Sequence, residues 1–283
     1  MHDIGIFNVP DNIMVEILSH FHVRELLVLS RVCKHWQKLI SDRWLWKTVQ
    51  FSPSPIKKVS LGKIVRRYFS QSTQSVDICG KWTHRHHRTY AYALSNTVLD
   101  AITLKSPNLT TFKIEDENLK DVRLQLLPSG LKHLSFTSCE IPLSSFQDCS
   151  NKFNQLQSLC FRRCPSMTEK HLKCFGKLEK LERLEFYGCY RIDHDAVQVI
   201  TTNFPNLHTL VMVGCAWCND QSCRDIATRL NKLRSFEMEE WLDLTQTGVD
   251  YLLRHSKHLK FFSNKCKQLN NGGLAIHGSR VDV

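Results

Sequence analysis

Leu131-Lys132-His133-Leu134-Ser135-Phe136-Thr137-Ser138-Cys139 sets a frame that returns three times. It recurs as Leu156-Gln157-Ser158-Leu159-Cys160-Phe161-Arg162-Arg163-Cys164, as Leu181-Glu182-Arg183-Leu184-Glu185-Phe186-Tyr187-Gly188-Cys189 and as Leu207-His208-Thr209-Leu210-Val211-Met212-Val213-Gly214-Cys215. The closing cysteines stand 25, 25 and 26 residues apart, so they mark an internal repeat. A period of about 20 to 50 residues points to a stacked array, because one such unit cannot bury its apolar face alone. Inside the frame the apolar residues alternate with polar ones, the period of a strand.

Outward from this centre the frame decays. Upstream it survives as Leu109, Phe112 and Ile114; downstream as Leu233, Phe236 and Met238, with Trp241 at the cysteine position. A last copy begins at Leu259 and Phe262, but Asn264 stands where an apolar residue is expected and Cys266 falls one place early. Between copies the period changes. Thr168 and Asp193 have side chains suited to helix N-caps, and Ala196, Val199 and Ile200 follow at helical spacing. Each unit reads as a strand, a turn and a helix.

This pattern resembles the cysteine-containing leucine-rich repeats, and Pro107-Asn108-Leu109 and Pro205-Asn206-Leu207 are similar to the way that family's units end. The resemblance implies an α/β solenoid with parallel strands on its concave face and helices on its convex face. The repeats are expected over 106–283, as about seven units of roughly 22–26 residues. Residues 50–105 are expected as a linker with one or more degenerate first repeats.

Residues 9 to 46 have another texture. Val9-Pro10 opens a helical run through Ile13, Ile17 and Leu18; Arg24 begins another, with Leu26, Leu29, Cys33 and Trp36 on one helical face. So much apolar surface on about 40 residues exceeds what a domain of that size can cover, which calls for a partner. Val9-Pro10-Asp11-Asn12-Ile13, Arg24-Glu25-Leu26-Leu27, Ser30-Arg31-Val32-Cys33-Lys34-His35-Trp36 and Trp44-Leu45-Trp46 resemble an F-box, here placed at 3–49 as three helices. His22 stands where many members carry proline, a departure expected to weaken the start of the second helix. The resemblance implies docking on the Skp adaptor, and through it on a cullin scaffold, by Pro10, Ile13, Ile17, Leu18, Leu29, Val32, Cys33 and Trp36. Trp44 and Trp46 are read as a joint to the first repeat or as adaptor contacts.

Signals for chemistry are sparse. Cys215-Ala216-Trp217-Cys218 is a lone Cys-x-x-Cys, and the frame puts both thiols at apolar sites rather than in a redox motif. Cys79 with His84, His86 and His87 lacks the paired spacing that closes a zinc site. No phosphate-binding, nucleophile-elbow or dinucleotide fingerprint occurs. The expectation is a non-catalytic protein without metal or cofactor.

In such a horseshoe the residues between the buried apolar ones line the concave face. They are Lys113 and Glu115, Ser135 and Thr137, Cys160 and Arg162, Glu185 and Tyr187, Val211 and Val213, Glu237 and Glu239. Arg162, Arg183, Glu185 and Tyr187 form a central anchor, and Glu237 and Glu239 an acidic end, as the substrate-binding set. Arginines here suit an acidic or phosphorylated substrate.

The twelve cysteines, scattered and without an export signal, are read as reduced thiols. No stretch is long and apolar enough to span a membrane, and the first residues do not read as a signal peptide. The formal charge of +11 is concentrated at Lys57, Lys58, Lys63, Arg66 and Arg67 and again at Lys81 through Arg88. These clusters are taken as solvated surface, with nucleic-acid binding as an alternative. The reading is a substrate receptor of a cullin-based ubiquitin ligase in cytoplasm or nucleus, holding a protein substrate for ubiquitination and proteasomal degradation. A ligase-independent leucine-rich scaffold is the other alternative.

Overall fold

The repeated frame folds into one parallel sheet in the computed structural model, which describes residues 9–81 and 93–266. Its strands run in chain order: β1 (Thr48–Gln50), β2 (Ser75–Cys79), β3 (Thr111–Glu115), β4 (His133–Thr137), β5 (Ser158–Arg162), β6 (Arg183–Tyr187), β7 (Thr209–Val213), β8 (Ser235–Glu239) and β9 (Phe261–Lys265). Leu134, Leu159, Leu184 and Leu210 stand opposite one another, as do Phe136, Phe161, Phe186 and Met212. All are buried. A slip of one residue would turn both columns to solvent, so burial sets the register. The rings of Phe136, Phe161 and Phe186 stack at centroid separations of 5.3 and 5.6 Å.

Strands β3 to β8 end in the same corner. Asp116, Ser138, Arg163, Gly188, Gly214 and Glu240 have φ between 48° and 69°, a left-handed turn that reverses the side-chain alternation. From Asp116 to Gly214 their N–H groups donate to the last carbonyl of the next strand, Ser138 to Arg162 at 2.7 Å and Gly188 to Val213 at 2.8 Å. The next residue is therefore driven inward. There Cys139, Cys164 and Cys189 donate through Sγ to the carbonyls of Ile114, Phe136 and Phe161, one strand back, at 3.5, 3.7 and 3.5 Å. A small apolar side chain with a weak donor meets both demands of the site. Trp241 fills the position with a larger body and the same bond, its Nε1 donating to the Met212 carbonyl at 3.2 Å.

Glu117 takes the cysteine's place after β3. Its carboxylate is buried and accepts the Ala93 N–H at 2.6 Å, tying down the chain that leads into the next helix. Burial pushes its pKa up to about 8, against the opposing pull of backbone N–H groups from Ala93 and Leu94, and nearby Asp116 raises it further. Gly80 lies so close to this carboxylate and to the Asp116 carbonyl that a Cβ would sit 2.5 Å from both. Only glycine fits.

The N-terminal module consists of α1 (Asp11–Ser19), α2 (Val23–Leu29), α3 (Lys34–Ile40) and a 3₁₀ turn at Arg43–Trp46. The run from Leu26 to Trp36, expected as one helical face, is two helices broken at residues 30–33. Ser30 and Cys33 both bond locally to backbone, a habit that favours helix ends over interiors. His22 does not weaken α2. Its Nδ1 accepts the Arg24 N–H at 3.4 Å while Glu25 accepts the His22 N–H at 2.7 Å, a reciprocal cap.

The two tryptophans at the end of the module part ways. Trp46 is buried, stacks on Tyr68 at 4.1 Å and donates to the Ile40 carbonyl at 2.6 Å, so it joins the module to the helix that ends at Tyr68. Trp44 is exposed.

Within 50–105 the described residues, 50–81 and 93–105, hold α4 (Lys58–Tyr68) after β1 and α5 (Asn96–Lys105) after β2. The helices α6 (Glu169–Lys173), α7 (His194–Asn203), α8 (Asp220–Arg229) and α9 (Gln246–His255) back the later strands. Thr168 and Asp193 cap α6 and α7 as expected, Asp193 accepting the Ala196 N–H at 3.0 Å. The units after β3 and β4 carry 3₁₀ turns, at Leu124–Leu126 and Leu143–Phe146, in place of α-helices. Pro142, Ser144 and Ser145 disfavour a longer helix in the second of these. The last copy keeps its register: Asn264 pairs with Met238, is buried, and satisfies its Oδ1 on the Cys266 N–H at 3.0 Å.

Candidate functional site

Two surfaces stand out as places for another molecule. The first lies on the N-terminal helices. On α1, Met14 and Leu18 are four residues apart and face inward; Ile13 and Ile17, also four apart, lie on the solvent side, 47% and 45% exposed. Leu18, expected among the docking residues, is therefore core. Pro10 and Val32 are exposed, the latter at 61%, while Leu29, Cys33 and Trp36 are half-buried. Cys33 has a positioning role as well, since its Sγ accepts the Trp36 N–H at 3.4 Å and so sets where α3 starts.

Trp44, read as a joint or an adaptor contact, is exposed; Phe21 and Val28, which the sequence reading did not assign to the docking surface, are exposed as well. Val28 stands two residues from the buried Leu26, about 200° around α2, and therefore faces out. An apolar surface of this density gains free energy when a partner covers it. The ion pair beside it is weak, His35 to Asp11 at 3.4 Å between exposed side chains.

The second surface is the concave face. It consists of two columns, mostly polar: Asp77, Lys113, Ser135, Cys160, Glu185, Val211, Glu237 and Ser263 in one, and Cys79, Glu115, Thr137, Arg162, Tyr187, Val213, Glu239 and Lys265 in the other. The anticipated anchor residues do come together, but as a closed network. Glu185 accepts from Arg183 at 2.8 Å and lies 3.5 Å from Arg162, and the Arg162 guanidinium sits 3.8 Å above the Tyr187 ring. Both arginines thus share one carboxylate, leaving a net positive charge that is already partly satisfied.

At the acidic end Lys265 lies 3.9 Å from Glu237, so that end is less acidic than its sequence suggested. At the other end burial, and then the neighbouring Glu115, push the Asp77 pKa up to about 6. Just past the strands, Tyr190, Trp217 and Leu242 form exposed apolar points on the rim of three successive units. They occupy the first or second place after the inward corner residue, a position visible in the frame once the turn is known.

Elsewhere the thiols are inert. Cys215 and Cys218 are fully buried, and burial holds both far above the ordinary thiol range, which keeps them from acting as thiolates. His84, His86 and His87 lie outside the described residues. Among the described residues no group of three or more His, Cys, Asp or Glu side chains is arranged to hold a metal ion, and no helix is long and apolar enough to cross a membrane.

Comparison with known proteins bears on the first surface directly. The F-box-like family matches residues 6–52, which includes α1, α2, α3 and the joint at Trp46. F-box/LRR-repeat protein 12 of Bos taurus is 27% identical over 233 residues, covering 82% of this chain and 71% of the relative, and that of Homo sapiens is 27% identical over 231 residues, covering 81% and 70%. A solved structure described as the crystal structure of Rad7 and Elc1 complex in yeast aligns over 87% of this chain and 68% of that one, at 12% identity and a TM-score of 0.38, a likeness too slight to carry an argument.

Proposed function

We propose that this chain, an F-box-like module continued by leucine-rich repeats, is the substrate-recognition subunit of a Skp-cullin-F-box ubiquitin ligase. The observation that carries this reading is the coincidence of the family match at 6–52 with an apolar ridge that is exposed among the described residues. Pro10, Ile13, Ile17 and Val32 would pack into the Skp adaptor, with Leu29, Cys33 and Trp36 half-buried beneath them; Phe21, Val28 and Trp44 widen that surface. Leu18 and Met14 support the ridge from behind. Removing such exposed apolar side chains from water is the main driving force of association.

Its action requires no covalent chemistry of its own. A substrate held on the concave face and rim is brought near a charged ubiquitin-conjugating enzyme at the far end of the assembly, which raises the effective concentration of its lysines. Arg162, Arg183, Glu185, Tyr187, Glu237 and Glu239 are the proposed substrate contacts. Any ligand there must offer more than Glu185 already gives the arginines, so a carboxylate or phosphate able to engage both at once fits best. Unpaired thiols throughout the chain suit the cytoplasm or nucleus, where cysteines stay reduced.

Co-purification with the Skp adaptor and cullin tests this reading. The intact chain is expected to retain both, and Ile17→Asp/Val32→Asp, which alters exposed side chains only, is expected to lose both while its circular dichroism is unchanged. An intact, folded chain that retains neither would overturn the ligase role and leave a leucine-rich interaction scaffold.

A further inference from the structure

Where the N-terminal module meets the first solenoid unit, α2, α4 and the loop between β1 and α4 enclose a cleft of about 610 Å³. Arg24 and Arg31 line it from one side and Lys57, Lys63 and Arg67 from the other, with no carboxylate among its walls. Among the described residues none of these five cations has a carboxylate oxygen within 4.0 Å. The contrast with the concave face is sharp, since there the arginines share Glu185. The floor is apolar, formed by Leu27, Ile64 and Tyr68, and Val28 stands at the rim, 64% exposed.

Five like charges facing one cleft repel each other, and the low-dielectric floor strengthens their field toward anything that enters. An anion of more than one charge relieves that repulsion. The volume lies within the usual range for ligand sites, about 300 to 1,000 Å³, and exceeds what one phosphate fills. We propose that the cleft binds a phosphorylated segment of a partner protein, with the phosphate on Arg31, Lys63 and Arg67 and a neighbouring apolar side chain of that segment against Leu27 and Ile64.

The apolar floor is what selects a peptide. A free inorganic anion would leave it uncovered. A single-stranded nucleic acid stacks its bases on exposed rings, whereas the rings here, Phe51 and Tyr68, are buried. The site is distinct from the concave face, so the chain carries a second recognition point beside its adaptor-docking end.

The test uses the purified full chain on an array of short phosphoserine and phosphothreonine peptides with varied flanking residues, their unphosphorylated twins, and a single-stranded DNA of similar charge. Lys63 and Arg67 are exposed on α4, so Lys63→Glu/Arg67→Glu keeps the fold; Lys170→Glu/Lys173→Glu, equally exposed on α6, makes the same change in net charge away from the cleft. The expected result is retention of phosphorylated peptides over their twins, weakened at least about tenfold in the α4 variant by loss of two charge-assisted contacts and unchanged in the α6 variant. No preference for phosphate, or equal loss in both variants, would overturn the proposal. DNA held more tightly than any peptide, and lost in the α4 variant, would assign the cleft to nucleic acid instead.

Discussion

The apolar ridge of the N-terminal helices and the concave face are both solvent-exposed, yet they are opposite in chemical state. On the ridge Ile13, Ile17 and Val32 project apolar surface that stays exposed among the described residues. On the concave face the conspicuous charges are spoken for, Arg162 and Arg183 by Glu185 and Glu237 by Lys265. Binding at the ridge gains from burial alone and tolerates substitution among apolar residues. Binding at the concave face gains only the difference between the partner's groups and those already in place, which makes it selective and weak until the partner is right. A constitutive partner suits the first and a chosen substrate the second.

The sharpest way to break this contrast is to remove the core that shapes the concave face. Phe161→Ala empties the middle of the stacked column between Phe136 and Phe186 and is expected to lower stability by about 3–5 kcal/mol. Chemical denaturation measures this. Each unit contacts chiefly its neighbours in a solenoid, so adaptor retention by the distant N-terminal module should survive under conditions where the middle repeats have opened.

Next in size is the ridge itself. Ile13→Asp/Ile17→Asp should weaken adaptor binding by at least about a hundredfold, as charge at the core of an apolar interface does, with the unfolding midpoint unmoved. Titration of the labelled adaptor reads the first and thermal unfolding the second. A fall in the midpoint would mean that the two isoleucines serve the fold instead.

Glu117 sharpens the comparison from inside. Its folded pKa of about 8 lies above the ordinary value of 4.5, so between those values the folded chain keeps a proton that the unfolded chain has released. Its contribution to stability is therefore greatest at low pH and is lost as pH rises through about 8. Glu117→Gln, which keeps an acceptor for the Ala93 N–H, is expected to flatten this slope and to stabilise the protein above neutrality. Denaturation midpoints at several pH values decide it, and an unchanged slope would show that the carboxylate finds other compensation.

The smallest effect belongs to the concave network. Glu185→Gln should change stability by no more than about 1 kcal/mol, because Arg162 and Arg183 are roughly half exposed and water screens the pairs. It should, however, increase retention of anionic peptides on the concave face, since it frees both guanidinium groups. Reduced retention would identify Glu185 as a substrate contact in its own right.

Much of this architecture was legible in the chain. The spacing of Cys139, Cys164, Cys189 and Cys215 determined the number and register of the central units, because a stacked array must present the same apolar side at each turn. The Val32-Cys33-Lys34-His35-Trp36 block likewise marked the N-terminal module. The weak outer copies were harder, since Glu117, Trp241 and Asn264 each meet the demands of the frame with different chemistry: a carboxylate on backbone N–H groups, an indole in place of a thiol, an amide bonded to its own turn.

What the sequence could determine by itself was everything periodic, because repetition turns local pattern into long-range contact without any knowledge of the path between. What only the tertiary structure decided was which side chains face each other across non-periodic joints. Leu18 turned inward and Ile17 outward on α1, Trp46 was buried and Trp44 was not, Glu185 was placed between two arginines, and Arg31 was brought to the same cleft as Lys63 and Arg67. Those relations depend on the angles at which short helices meet and strands stack, and such angles follow from the packing of the whole and not from any one segment.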